Sequence, residues 1–264
     1  MSSQPRRTLA LAALLVLPLA GCEDDVSRPD LDGLVYGDAV ALGAGNARSY
    51  IQLENGTPVE IGVALSEQAL QGLPAGNGDA NDHSNMFVHL LPMPDGVPLQ
   101  FNFVELDWNP AGHEPPGIYD LPHFDFHFNL NTEAERLAID PADPAFQQMA
   151  ENVPAQEFMP AGYVAPALVA VPRMGVHWID PTSPELNGET FTATFIYGTW
   201  DGELIFAEPM ITREFLLSKP SFNKTIPAPA RVQKAGPMPT AYRIYWNETT
   251  KEYRVALASL VARS

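Results

Sequence analysis

Pro122-His123-Phe124-Asp125-Phe126-His127-Phe128-Asn129-Leu130 alternates polar and apolar side chains from His123 to Leu130, the pattern of a β-strand. Successive side chains on a strand point to opposite faces. One face therefore carries His123, Asp125, His127 and Asn129, and the other carries Phe124, Phe126, Phe128 and Leu130. Two imidazoles and a carboxylate stand in one row, anchored by aromatics behind them.

Strand geometry limits what that row can do. At a rise of about 3.3 Å per residue, residues i and i+2 lie about 6.6 Å apart and i and i+4 about 13 Å apart. A histidine nitrogen binds zinc at about 2.0–2.1 Å, so His123 and His127 cannot share one ion on a regular strand unless a bulge curves it. Asp125 can join either histidine as a ligand or orient it from behind. The remaining ligands must come from other strands. His177, in Met174-Gly175-Val176-His177-Trp178, and Glu208, in Phe206-Ala207-Glu208-Pro209-Met210, are the candidates, with His113 on the approach Asp107–Pro115 as a further one. In a uniform strand Glu208 shares the phase of Leu204 and Phe206, which puts it at a sheet rim or buries it with a partner. The expectation is a divalent-metal site, zinc by its donors, made of His123, Asp125, His127, His177 and Glu208. Hydrolysis is a chemistry it can support, because three ligands and an open position activate water. Plainer readings stand beside it: a solvent-facing polar row, a core histidine at position 177, a rim carboxylate at 208, and packing roles for the tryptophans. His83 and His89 are read as having no part in the site.

The fold expected around this strand is mainly β, an antiparallel sandwich or barrel-like single domain with a few short helices. The chain has 26 prolines and 19 glycines, which interrupt helices of ordinary length. Ala47–Leu53 and Pro58–Leu65 pair around Asn55-Gly56, a strong hairpin signal. Thr190–Tyr197 and Glu203–Glu208 pair around Asp201-Gly202, and Tyr242–Trp246 pairs with Glu252–Leu257. Short helical turns are expected at Ser66–Leu70, with Ser66 as cap, and at Thr132–Leu137 or Pro144–Ala150. Gly72–Asn85 reads as a loop and Pro220–Pro239 as a Pro-rich connector.

The N-terminus points to export. Arg6-Arg7, the apolar run Leu9–Leu19 and Leu19-Ala20-Gly21-Cys22 form a signal-peptide pattern too short to span a bilayer as a permanent helix. The small residues before Cys22 resemble the lipobox of bacterial lipoproteins, which implies lipidation of Cys22. The expected organisation is a signal peptide over 1–21, lipidated Cys22 and a tether over 22–34, and one β-rich domain over 35–264, with the connector and C-terminal hairpin in 220–264. Cys22 is the only cysteine, so the folded part has no thiol for disulfides or nucleophilic attack. Cysteine enzymes are excluded. The formal charge is -17, and loss of Arg6 and Arg7 makes it -19. Such acidity argues against nucleic acid and anionic surfaces, leaving the lipid as the membrane contact, on the periplasmic or extracellular face. There is no Gly-rich phosphate loop, no His-Glu-x-x-His and no Gly-x-Ser-x-Gly.

Gly56–Val63, Trp108-Asn109-Pro110 with Gly112-His113, Pro122–Phe128, Met174–Trp178 and Tyr197–Met210 together resemble an uncharacterised family of exported bacterial domains, typified by a Thermus protein from an extracytoplasmic stress regulon. The resemblance spans Gly37 to Leu217, with the strand motif as its specific part and Asn129 where relatives carry an aromatic. It implies a β-rich extracytoplasmic domain that self-assembles as a homo-oligomer, and it carries over no catalytic residue. The rival to a metal site is accordingly a non-enzymatic envelope module that binds a ligand or its own copies.

Overall fold

The computed structural model describes residue 1 and residues 33–76 and 85–264. The signal segment, Cys22, most of the tether and His83 lie outside the described residues. Leu31–Ser264 forms a single unit.

Two antiparallel sheets carry the fold. The first is ordered β1 (Gly33–Tyr36), β3 (Gly45–Glu54), β4 (Thr57–Ser66), β14 (Glu252–Ala258), β13 (Ala241–Asn247) and β11 (Ser221–Thr225), with β2 (Val40–Leu42) paired to β3. The second is ordered β5 (Phe87–Pro92), β6 (Phe103–Asn109), β7 (His123–Asn129), β10 (Glu203–Thr212), β9 (Ala193–Trp200) and β8 (Val176–Trp178). A small pair, β12 (Gly236–Met238) and β15 (Val261–Arg263), stands beside them. The expected β-sandwich is the observed architecture.

The three hairpins form where the sequence places them. Asn55 and Gly56 take φ of 49° and 69°, and Asp201 and Gly202 take 45° and 81°, the left-handed pairs that match the twist of flanking strands. Both alternatives offered for the middle helix form, as α1 (Glu133–Leu137) and α2 (Phe146–Glu151), and α3 (Arg213–Leu217) follows β10. Three sequence expectations need correction. Ser66 makes no cap; its Oγ accepts the Asn46 N–H instead. The segment 220–239 is not a plain connector, because it contributes β11 and β12. The first strand starts at Gly33, inside the segment assigned to the tether.

The core lies between the sheets. Phe124, Phe126 and Phe128 of β7, with Leu106 of β6 and Tyr197 of β9, pack in one cluster with Ile61, Val63, Tyr242 and Val255 of the first sheet. Burying such a side chain contributes about 1.5–3 kcal/mol, so the aromatic face of β7 is the strand's anchor. The opposite face of the second sheet is buried too. All seven residues of β6 and all seven of β7 are buried. Tyr119, Phe191, Ile196 and Met210 form one apolar cluster over it, and Ile139, Met174, Ile205 and Phe206 another.

Candidate metal centre

The row on β7 does not face solvent: His123 is 0 % exposed, His127 2 % and Asp125 3 %. Buried charge must find partners, and the flanking strands supply them. On β6, Glu105, Asp107 and Asn109 stand directly opposite His127, Asp125 and His123. On the other side of β7 lies β10, which brings Glu208. A bulge at Ile205 makes this possible. The register with β9 shifts between Leu204 and Phe206, so Leu204 packs in the sandwich core while Phe206, Glu208 and Met210 face the other way. Glu208 therefore does not share the face of Leu204, as a uniform strand requires.

The candidate ligands divide into two groups. His113, His123 and Asp125 form one, and His127, His177 and Glu208 the other; within each, one ligand atom per residue lies within 4.8 Å of the others. This corrects the single expected set, in which Asp125 shared an ion with His177 and Glu208. The reason is the neighbours: Asp125 and His127 share one face, but Asp125 meets His113 and His123 while His127 meets Asp107 and Glu208.

In the first group His123 Nε2 is 3.1 Å from Asp125 Oδ1, and His113 Nε2 is 3.3 Å from Oδ2. Each ring's other nitrogen is committed: His123 Nδ1 to the Leu121 carbonyl and His113 Nδ1 to the Glu114 carbonyl, both at 2.7 Å. Such bonds fix the tautomer, leaving Nε2 as the lone-pair side of a neutral ring. Asn109 Nδ2 donates to Asp125 Oδ2 at 2.7 Å. His113 is delivered by a tight turn at Gly112, whose φ is +75°; a Cβ there meets the Tyr119 carbonyl oxygen at 2.1 Å.

In the second group Glu208 Oε2 is 3.3 Å from His127 Nε2 and 4.0 Å from His177 Nε2. Asp107 Oδ2 lies 3.3 Å from His127 Nδ1, behind the ring. His177 sits on β8 opposite Gly198 of β9. Gly175, at φ +73°, lets the chain pass against the Thr199 carbonyl oxygen, where a Cβ falls at 2.4 Å. Phe206 packs edge-on to His127, with centroids 4.8 Å apart, and against His177 at 5.4 Å.

His123 Nε2, Asp125 Oδ1, both ring nitrogens of His127, Glu208 Oε2 and both oxygens of Asp107 are buried without a hydrogen-bond partner. Two donors at about 2.1 Å from a tetrahedral ion lie about 3.4 Å apart, close to the observed spacings.

The electrostatics follow from burial and this crowding. Burial disfavours charge on His113, but Asp125 outweighs it and pushes the pKa up to about 9. Burial likewise opposes charge on His127, yet Glu208 and Asp107 raise it to about 10. His177 is lowered to about 3 by burial and by His127 and His113, so it is a neutral donor. Asp125, despite burial, is held well below the usual carboxylate range by His123 and His113. Burial drives Asp107 up to about 7 and Glu208 up to about 8, against the pull of His127.

Both groups open on one cavity of about 440 Å³, lined by His113 and Asp125 of the first and by His127, His177 and Glu208 of the second. His89, on β5, is not in it, and burial lowers its pKa. Three participants escaped the sequence reading: Asp107, Asn109 and Arg136, the last of which leaves α1 to pair with Glu105 inside the sheet. The α1 start is fixed by a capping box between Thr132 and Glu135.

Comparison with known proteins reaches only the edge of this site. Residues 54–108 match the TTHB210-like family, described as "Hypothetical protein TTHB210". The match is to an uncharacterised family and covers about a fifth of the chain. It takes in β4, β5 and most of β6, with Glu105 and Asp107, and stops before His113. It is narrower than the resemblance over Gly37–Leu217 and does not include the β7 motif. No curated protein and no solved structure matches this chain.

Proposed function

We propose that this chain is an extracytoplasmic divalent-metal protein with an open centre at His127, His177 and Glu208 and a second, more enclosed centre at His113, His123 and Asp125. The observation that carries the reading is the pair of buried, unpartnered contacts at its heart, His123 Nε2 with Asp125 Oδ1 at 3.1 Å and His127 Nε2 with Glu208 Oε2 at 3.3 Å. A lone pair set against a carboxylate oxygen needs a cation between them, either a proton or a metal. Two imidazoles and one carboxylate are a zinc donor set, and the same donors accept ferrous iron.

The two groups differ in access. His127, His177 and Glu208 all line the cavity, whereas in the first group His113 and Asp125 do and His123 does not, so the first group is the more enclosed of the two. Held there, a divalent ion supplies Lewis-acid activation of water for hydrolysis. Asp107 holds the His127 ring from its Nδ1 side, the outer partner that orients a metal-binding imidazole. Glu105, whose charge Arg136 cancels, lies beside them without joining either group.

The reading places the protein at a bacterial membrane through lipid on Cys22, supported by the signal pattern at Arg6–Cys22; Cys22→Ser then moves it to the soluble fraction. The metal reading is tested on protein purified without added metal, by elemental analysis and zinc titration of the wild type, Glu208→Gln and Asp125→Asn. Two equivalents are expected in the wild type and one in each variant. No bound metal and no zinc uptake leaves the non-enzymatic envelope module as the function.

A further inference from the structure

We propose that the cavity receives a small amphiphile, with one oxygen-donor head of the carboxylate class at the floor and a single apolar chain or ring along the walls. This rests on the metal-centre reading and names the class of molecule that meets it.

Apart from Glu114 and Tyr119, the polar residues that line the cavity are Asn109, His113, Asp125, His127, His177 and Glu208, which form its floor. The walls are Met174, Met210, Ile179, Ile196 and Val171, and of these Met210, Ile196 and Met174 are buried core side chains. At the entrance stand Pro166, Ala167 and Val169, with Val169 66 % exposed. An apolar surface that continues from wall to rim extends the path for an apolar group to the outside.

Size and polarity decide between ligand classes. At about 30 Å³ for each water-sized group, a cavity of about 440 Å³ holds roughly fifteen heavy atoms. A peptide or sugar of that size places several donors and acceptors against these mostly apolar walls, and each unmatched polar group costs free energy. A molecule with one polar end pays that cost nowhere. Methionine walls also adapt to an irregular apolar shape, because the thioether side chain is unbranched and flexible.

The floor sets the order of events. Asp125 and Glu208 line it, and a divalent ion held there would offer a carboxylate oxygen its open coordination position. Binding of the apolar acid should depend on metal.

The test is calorimetric titration of sodium octanoate and sodium acetate into the full chain, metal-free and zinc-loaded, with zinc stoichiometry measured on the same samples. Each buried methylene is worth about fourfold in affinity, so octanoate with half of its six extra methylenes buried should bind about fiftyfold more tightly than acetate. Ala167→Trp and Val169→Glu change only the exposed rim; both should weaken octanoate about tenfold or more, since they block or charge an apolar path, while zinc stoichiometry stays at the wild-type value. Full zinc loading with octanoate and acetate binding alike, or with both rim variants unchanged, overturns the ligand class and leaves the metal centres standing. Octanoate binding as strong without zinc as with it overturns the proposed head-group contact. Failure to take up zinc removes the metal reading itself, and this proposal falls with it.

Discussion

Asp107 Oδ2 and Glu208 Oε2 bracket the His127 ring, each 3.3 Å from a different ring nitrogen. Glu208 faces the cavity and Asp107 lies behind, so the two carboxylates have different jobs. Asp107→Asn keeps the volume but removes the charge that orients the ring. We expect zinc affinity at the open centre to fall about 10–100-fold while the other centre loads normally. A chelator-competition titration reads this; unchanged affinity would show that Asp107 does not position His127.

Raising the pH should destabilise the metal-free protein. His113 has a folded pKa of about 9 against about 6.5 unfolded, so its contribution is fully present below about pH 6.5 and is lost as pH rises through 9. Glu208, raised to about 8, and Asp107, raised to about 7, act in the same sense: the folded state holds protons that the unfolded state has released, so stability falls as pH climbs from about 4.5 to 8. Bound metal replaces those protons. Thermal melts from pH 5 to 9 should therefore fall steeply without metal and stay nearly level with zinc. Parallel curves would sink the idea.

Arg136 and Glu105 form a buried ion pair beneath the site. Arg136→Met strands a buried carboxylate and should cost about 3–5 kcal/mol, measured by urea denaturation. The double variant Arg136→Met/Glu105→Leu should recover most of that loss, because no unpaired charge remains. A double variant as unstable as the single one would contradict the pairing.

Gly112 sets the position of His113. Gly112→Ala forces a side chain into a left-handed residue and against the Tyr119 carbonyl oxygen, with an expected cost of about 1–3 kcal/mol. Zinc uptake should weaken at the His113 centre only, which a titration against Asp125→Asn would separate from the open centre.

Much of the frame was legible locally. Alternation marked β7, and Asn55-Gly56 and Asp201-Gly202 marked two hairpins, because both signals depend on neighbours in sequence. The division into two centres was not, since it depends on which strands flank β7. One clue was present. Val104-Glu105-Leu106-Asp107-Trp108-Asn109 alternates as cleanly as β7, but its end merges with Pro110 and reads as the approach to a turn. Asp107 and Asn109 were therefore missed as members of a polar face. Arg136 lies on a five-residue helix, and nothing in its surroundings announces an inward-pointing guanidinium.

The bulge at Ile205 acts as a phase shifter. Every residue after it exchanges faces, so one inserted position converts a strand that would turn Glu208 toward the sandwich core, where Leu204 packs, into one that offers it to the cavity. A single-residue deletion there would reverse the exchange along Phe206, Glu208 and Met210 together. The chemistry of β10 thus rides on the parity of its length as much as on the identity of its residues, and length changes in this hairpin are the route by which such a sheet could gain or lose a site while its composition stayed the same.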